Sequence, residues 1–304
     1  MTLPYFAYGS NLEHEDWCVY CRRHGLLADG LKPLHPAIAP DHSLAFTRYS
    51  QTRGGGVLDI LQSRGSAVSG MLYRVCEETL AALDHKEGVP HAYERVPITV
   101  LDADGAEISA FTYRVAPERR ERFVQPHPDY LAVCTAGRAA FGIDATILDE
   151  AAAGRPAGMI HTAFVYGTLM QGERGDRFWT GLRDRPAIRP ARVPGILKDC
   201  GPYPGLVGAA TRDGANETIV RGELLAFPDI GAILDAFDAY EDFAGYGERS
   251  NVYRRIPVTA RPEDGDETAT EAPTAITAWA YLLLDHAEFP AIPGGCWRSH
   301  RQAL

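Results

Sequence analysis

The stretch YFAYGSNL at residues 5–12 decides the fold, because most of it returns as AFVYGTL at residues 163–169. Each copy is a run typical of a β-strand, and each ends in a glycine followed by a small hydroxyl residue. A single turn of this kind is common in proteins. The same phrase about half a chain apart indicates an internal repeat.

Four further landmarks recur in the same order in the two halves of the chain. They pair SGMLYRV at 69–75 with RGELLAF at 221–227, LDHKEG at 83–88 with FDAYED at 237–242, YERVPITV at 93–100 with YRRIPVTA at 253–260, and SAFTYRV at 109–115 with TAWAYLL at 277–283. Because the order is kept and the spacing changes only where loops are expected, the sequence predicts a tandem duplication.

A length of 304 residues suits two domains, each with its own core. We place the domains at residues 1–152 and 160–304, joined by the linker EAAAGRPAG at 150–158. Each copy reads as a strand, a turn, an irregular segment, strands, one short helix and further strands. Strands that cluster around one or two helices favour the α+β class over an alternating parallel sheet.

Composition limits the partners and the compartment. The formal net charge of -10 argues against nucleic acid and against a membrane surface, because both present negative charge to a partner. The chain shows neither a signal peptide nor a long apolar run, and its six cysteines do not form a disulfide framework. We therefore expect a cytoplasmic protein with reduced thiols.

Both copies place a glutamate on the apolar stripe of the short helix. Glu241 follows Phe237 by four residues, and Glu87 has the same relation to Leu83. Burial raises the pKa of a carboxyl group and makes it a proton shuttle near neutral pH. The alternative is that Glu87 ends its helix before a Gly88 cap and turns out to water. Since the same position holds Glu in both copies, we expect both side chains to point inward.

The turn after the first strand offers the second half of a site. Backbone N–H groups at Gly9 and Ser10, and at Gly167 and Thr168, can form a nest for a carboxylate or an oxyanion. The alternative is an ordinary turn in which Ser10 caps the following helix.

The ordered combination of motifs resembles the γ-glutamylcyclotransferase family. That family has a YGSN or YGTL turn, a helix that ends in an L-D-x-x-E-G pattern, and then a Y-x-R strand. The matching stretches are residues 8–11, 83–88 and 93–95 in the first copy, and residues 166–169, 238–241 and 253–255 in the second. The first copy is similar to the branch that acts on γ-glutamyl amino acids, and the second to the branch that acts on γ-glutamylamines.

The resemblance implies two small mixed β-barrels or curved sheets flanked by helices. It also implies a small-molecule γ-glutamyl substrate, which cyclises to 5-oxoproline and releases an amine, with neither metal nor cofactor required. Glu87 and Glu241 would be catalytic. The substrate-binding residues would be Tyr8, Gly9, Ser10, Asn11 and Tyr130 in the first copy, and Tyr166, Gly167, Thr168 and Leu169 in the second.

The second copy departs from the pattern just after its glutamate. Asp242 stands where the first copy has Gly88, and Tyr253 follows Glu241 by twelve residues where Tyr93 follows Glu87 by six. The extra residues either change the geometry of this loop, and with it the second activity, or form a lid.

Three other interpretations stay open at this point. Ser10 and Thr168 could be nucleophiles of an amidohydrolase, although no partner base is evident. One or both copies could bind a ligand without turnover. The set His14, Cys18, Cys21 and His24 has a spacing compatible with zinc, but a single C-x-x-C is weak, and we expect no metal.

Overall fold

The computed structural model describes residues 2–208, 218–263 and 274–303, and the chain divides into two compact units, Met1–Met159 and Ile160–Leu304. The predicted linker at 150–158 is wrong at its start, because its first three residues belong to a helix at Thr146–Ala152. That helix packs against the first unit, because its residues Leu148 and Ala151 are buried in the core of that unit.

The first unit is a closed barrel of five strands with four helices. The strand order is β1-β3-β2-β4-β5, and the barrel closes where β1 pairs in parallel with β5. The strands are β1 (Leu3–Ala7), β2 (Lys32–Ser50), β3 (Gly55–Val75), β4 (Tyr93–Leu101) and β5 (Glu107–Val115), and the helices are α1 (His14–His24), α2 (Glu77–Glu87), α3 (Pro128–Ala140) and α4 (Thr146–Ala152).

The segment expected to be irregular between the first turn and MLYRV is instead α1, β2 and the first part of β3. The strand β2 carries Pro33, Pro36 and Pro40, which hide the alternation typical of a strand. Its pairing with β3 shifts register between Pro33 and His35 and between Pro40 and His42, so the prolines are accommodated at irregularities of the ladder.

The second unit also contains a closed ring of five paired strands. Among the described residues β7, β10, β6, β12 and β11 pair in that order, the ring closes between β11 and β7, and β9 and β8 extend it beyond β12. The strands are β6 (Thr162–Val165), β7 (Ala187–Pro194), β8 (Ile196–Asp199), β9 (Pro204–Val207), β10 (Ile219–Ala226), β11 (Tyr253–Pro262) and β12 (Ile276–Leu283), and the helices are α5 (Arg177–Thr180), α6 (Gly231–Tyr240) and α7 (Trp297–Gln302).

The repeated landmarks occupy equivalent places in the two barrels. The first strand of each unit lies antiparallel to the strand that carries the repeated glycine and parallel to the strand that carries the repeated tyrosine. The glycine strand is followed in both units by a short helix, which ends at Glu87 in α2 and just before Glu241 in α6. The predicted α+β class with two tandem barrels is confirmed. No helix among the described residues has the length and apolar character needed to cross a membrane.

Candidate active site

A cavity opens at the end of β1 in the first unit. Its mouth measures about 470 Å³ and its narrow inner end about 30 Å³, and Ser10, Glu87, Tyr93 and Tyr130 line both parts. The inner end brings together the residues named from the sequence of the first copy, namely Tyr8, Gly9, Ser10, Asn11, Glu87 and Tyr130.

Glu87 is the last residue of α2, and its carboxylate faces this cavity. Gly88 caps the helix in the left-handed region, with φ of 66°, so the main chain turns away and leaves the Glu87 side chain against the core. The Asn11 side-chain amide donates to Glu87 Oε1 at 2.8 Å. The interpretation in which Glu87 turns out to water is therefore wrong.

Two opposing influences set the ionisation of Glu87. Burial raises the pKa of its carboxyl group, while the charge of Lys86 and the hydrogen bond from Asn11 lower it. Lys86 Nζ donates to Asn11 Oδ1 at 2.6 Å and lies 3.1 Å from Asp16 Oδ2, and Arg53 makes a bidentate pair with Asp16 at 2.7 and 2.8 Å. This network holds the Asn11 amide with its nitrogen toward Glu87.

Buried tyrosines shape the cavity of the first unit. The Tyr8 hydroxyl donates to the carbonyl of Tyr113 at 2.6 Å, and the Tyr113 hydroxyl donates to Asp84 at 2.6 Å. The Tyr93 hydroxyl donates to the carbonyl of Leu58 at 2.8 Å. These hydrogen bonds connect the glycine turn, the helix α2 and the strands β3, β4 and β5 around the cavity.

The second unit has the same arrangement around a cavity of about 240 Å³. The residues named from its sequence, Tyr166, Gly167, Thr168, Leu169 and Glu241, all line this cavity. The Tyr166 hydroxyl donates to the carbonyl of Tyr281 at 2.6 Å, and the Tyr281 hydroxyl donates to the carboxylate of Asp238. The Tyr253 hydroxyl donates to the carbonyl of Pro204 at 3.0 Å.

Glu241 differs from Glu87 in its surroundings. Burial raises the pKa of Glu241 to about 8, and the nearby carboxylate of Asp242 adds to this effect. Leu169 takes the place of Asn11 and cannot donate, and no other side-chain amide in the described part of the chain donates to Glu241. Arg174 supplies the opposing positive charge.

The departures of the second copy leave the helix end intact. Asp242 adopts φ of 49°, the left-handed conformation that Gly88 has in the first unit and that Asp tolerates better than most residues. Asn251 closes the longer loop, because its side chain accepts from the Ala244 N–H and donates to the Gly245 carbonyl, both at 2.8 Å. The loop adds Asp242 and Val252 to the cavity wall.

The glycine turns line the cavities of both units. Leu12 and Glu13 donate back to the carbonyls of Gly9 and Ser10 at 3.0 and 3.1 Å, and Met170 donates to Gly167 at 3.0 Å. Within the described residues, the N–H groups of Ser10 and Asn11 and of Thr168 and Leu169 have no acceptor. Ser10 makes no side-chain capping bond, which contradicts the alternative that it caps the next helix.

Sequence reasoning missed several residues of the two cavities. Tyr93 and Tyr253, and Tyr113 and Tyr281, lie inside the repeated landmarks, so the repeat itself was the signal for them. Tyr5, Lys86 and Tyr240 also lie inside landmarks, although the second copy does not repeat these residue types. The residues outside the landmarks include Leu58 and Arg53 in the first unit and Arg174 and Tyr203 in the second.

The four residues with zinc-like spacing do not converge. His14 Nε2 lies 3.4 Å from Cys18 Sγ, Cys21 is fully buried in the core, and His24 packs on Tyr20 with ring centroids 4.4 Å apart. In the part of the chain that the structure describes, no three His, Cys, Asp or Glu residues form a group that could hold a metal ion.

Comparison with known proteins gives a consistent family assignment. A family model described as gamma-glutamyl cyclotransferase, AIG2-like, matches residues 5–132 and again residues 163–299. The chain is 30% identical over 138 residues to a gamma-glutamylcyclotransferase of Bos taurus, covering 44% of this chain and 68% of that protein. For the protein of the same name in Mus musculus the identity is 30% over 141 residues, covering 45% and 70%. A solved structure titled gamma-glutamyl cyclotransferase aligns at a TM-score of 0.43 and 28% identity, over 50% of this chain and 86% of that one.

Proposed function

The chain belongs to the AIG2-like gamma-glutamyl cyclotransferase family, with one copy of the family domain in each unit, and on this premise we propose that it cleaves γ-glutamyl amides. In the reaction the α-amino nitrogen of the γ-glutamyl group attacks its own γ-carbonyl carbon. A new C–N bond closes the ring of 5-oxoproline, the original amide C–N bond breaks, and an amine or amino acid leaves.

One observation carries the proposal. In each unit a partly buried carboxyl group with a raised pKa shares a cavity with a glycine turn whose N–H groups are open. A carboxyl group in this state can accept and return a proton near neutral pH. Backbone donors suit the negative charge that develops on the carbonyl oxygen during attack.

We assign the proton transfers to Glu87 and Glu241. Each would take a proton from the attacking nitrogen and deliver it to the leaving nitrogen, so the carboxylate is regenerated in each turnover. General acid–base catalysis of this kind contributes typically about 10² to 10⁴ in rate. The attack is intramolecular, so a cavity that holds the γ-glutamyl group folded supplies much of the remaining acceleration.

An amidohydrolase with Ser10 or Thr168 as nucleophile has less support. A hydroxyl nucleophile needs an adjacent base to remove its proton. In the described residues, neither hydroxyl is hydrogen-bonded to a His, Asp or Glu side chain. The two reactions also differ in product, because hydrolysis releases glutamate while cyclisation releases 5-oxoproline.

Product analysis tests the proposal. The full chain is incubated with a panel of γ-glutamyl amino acids and γ-glutamylamines, and both 5-oxoproline and glutamate are measured. Release of 5-oxoproline with an equal amount of amine is expected. Glutamate in its place would identify a hydrolase, and absence of both products across the panel would favour a pair of ligand-binding units.

A further inference from the structure

The carboxylate of Glu223 is buried beside the glycine turn of the second unit. It lies on β10 directly after the repeated Gly222, and its side chain is only 10% exposed. The Oε2 atom of Glu223 accepts a hydrogen bond from the backbone N–H of Gln171 at 2.7 Å. Because Gln171 directly follows the turn at residues 167–170, Glu223 holds the main chain where that turn ends.

Arg298 of the helix α7 binds the same segment from the other side. Its Nη2 atom lies 2.9 Å from Oε1 of Glu223 and donates to the backbone carbonyl of Gln171 at 2.5 Å. The buried carboxylate is stabilised, because a guanidinium and a backbone N–H both donate to it. Glu223 and Arg298 thus form a clamp on Gln171, in which one binds its N–H group and the other binds its carbonyl.

Two further hydrogen bonds hold the turn itself. The Thr168 carbonyl accepts from the Gly175 N–H at 2.8 Å, and the Leu169 carbonyl accepts from the indole N–H of Trp179 at 3.0 Å. Because a peptide group is planar, a bond that fixes the Thr168 carbonyl also fixes the N–H of Leu169. The clamp fixes the far end of this short segment at Gln171. The N–H groups of the turn therefore keep one orientation while the clamp is intact.

The first unit packs a helix directly on the equivalent segment. The buried, apolar Met71 stands where the second unit has Glu223, and Glu13 stands where it has Gln171. The helix α3 lies against this segment, since a Cβ added at Gly137 would be 2.6 Å from the backbone nitrogen of Glu13. Because Met71 cannot accept a hydrogen bond from a backbone N–H as Glu223 does, the first unit is an internal control for the clamp.

We propose that Arg298 and Glu223 are positioning residues of the second unit, which hold its glycine turn so that the N–H groups of the turn stabilise the charge on the carbonyl oxygen during attack. This inference rests on the proposed cyclotransferase function. Such donors are effective only if they are oriented before the charge develops. A displacement of about 1 Å in an active site can cost about 100-fold in rate. Loss of the clamp should therefore lower kcat and change KM little.

Steady-state kinetics of the full chain test the inference, with Glu87→Gln present so that only the second unit is active. Arg298→Gln removes the cation and leaves the buried carboxylate of Glu223 without it. We expect kcat for 5-oxoproline release from a γ-glutamylamine to fall about 10- to 100-fold, with KM changed by less than about threefold. Arg298→Lys keeps a cation with several donors, which can reach both Glu223 and the Gln171 carbonyl, and it should recover most of the lost kcat.

Glu223→Gln tests the clamp from its other side. A carboxylate accepts hydrogen bonds on both oxygens, whereas an amide has one acceptor and one donor group. Either Arg298 or the Gln171 N–H then faces a donor, so kcat should fall in this variant too. Because it removes the buried charge, this variant keeps the test decisive even if Arg298→Gln does not fold. Arg183→Gln removes an exposed cation outside the cavity and should leave kcat and KM unchanged.

Three results would overturn the positioning role while the cyclotransferase function stands. The first is an unchanged kcat in both Arg298→Gln and Glu223→Gln. The second is a rise in KM alone, which would mean that the clamp serves substrate binding. The third is an equal loss of kcat in the first unit, measured with the same variants in the Glu241→Gln chain, where we expect no change. Absence of 5-oxoproline from every substrate with the unmutated chain would instead refute the proposed function itself.

Discussion

The side-chain amide of Asn11 donates a hydrogen bond to the carboxylate of Glu87 at 2.8 Å, and among the residues that the structure describes this bond has no counterpart at Glu241. The residue equivalent to Asn11 in the second unit is Leu169, which lines the same part of its cavity and cannot donate. The two units thus place the same acid in similar cavities but stabilise its charged form to different degrees.

Replacing Asn11 by leucine should make the first unit resemble the second. Loss of the amide bond raises the pKa of Glu87 further, so the acidic limb of its pH–rate profile moves to higher pH. We expect about a 10-fold fall in 5-oxoproline release near pH 6, measured with Glu241→Gln present. The reciprocal change Leu169→Asn should move the profile of the second unit to lower pH. Unchanged profiles in both would contradict this role for Asn11.

The raised pKa of Glu241 predicts a stability that falls as pH rises. Between its ordinary value of 4.5 and about 8 the folded protein binds a proton at Glu241 that the unfolded chain has lost. Stability linked to this group is therefore greatest below pH 4.5 and is lost as pH rises toward 8. Glu241→Gln removes this titration. The free energy of unfolding of the variant, relative to that of the wild type, should therefore rise by about 3 kcal/mol between pH 5 and pH 9.

Urea unfolding at the two pH values measures this difference. Glu248→Gln is a suitable control, because Glu248 is exposed in the same unit and should give the same difference from wild type at both pH values. A Glu241→Gln difference that stays constant between pH 5 and pH 9 would show that Glu241 is not protonated in the folded protein.

The repeated glycine of the two barrels has a steric explanation that mutation can check. A Cβ added at Gly70 would lie 2.3 Å from the carbonyl oxygen of Ala7, and one at Gly222 would lie 2.2 Å from that of Val165. Both contacts fall on the first strand just before the glycine turn. Gly70→Ala and Gly222→Ala should each destabilise their unit by about 3 kcal/mol, as measured by thermal or urea unfolding.

Gly181→Ala provides the matched control for these two changes. A Cβ at Gly181 would meet only the Arg177 carbonyl oxygen at 3.8 Å, and the backbone there is compatible with any residue. We expect its effect on stability to stay within about 0.5 kcal/mol. A comparable loss for all three variants would mean that close strand packing is not what the repeated glycine provides.

The repeat made most of the fold and the centre of each site predictable from the sequence. The turns, the inward glutamates and the tyrosine strands recur in both halves, and each recurrence supports the other. The strand β2 was not predicted, because its three prolines break the alternation and its extended form depends on pairing with β3 and β4. The sequence also did not predict the left-handed conformation of Asp242 after the second helix, since Asp adopts that conformation less often than Gly.

The charged surroundings of each glutamate depend on contacts between distant segments. Asp16 in α1 binds both Arg53, in the turn between β2 and β3, and Lys86 in α2. No spacing in the sequence indicates that these three residues lie together. Arg174 and Tyr203 reach the second cavity from loops with no counterpart among the repeated landmarks. These contacts follow from tertiary packing, which is why the different charges around the two glutamates were not visible in the sequence.

The most direct test of the account is 5-oxoproline release by Glu87→Gln, by Glu241→Gln and by the double variant, each compared with the wild-type chain on the same substrate panel. Glutamine keeps the size of the side chain but cannot carry the proton. We predict that each single variant loses release from the substrates of its own unit by about 10² to 10⁴ and keeps release from the others, and that the double variant loses both. Wild-type release from every substrate in the double variant would contradict the central claim that these glutamates perform the chemistry.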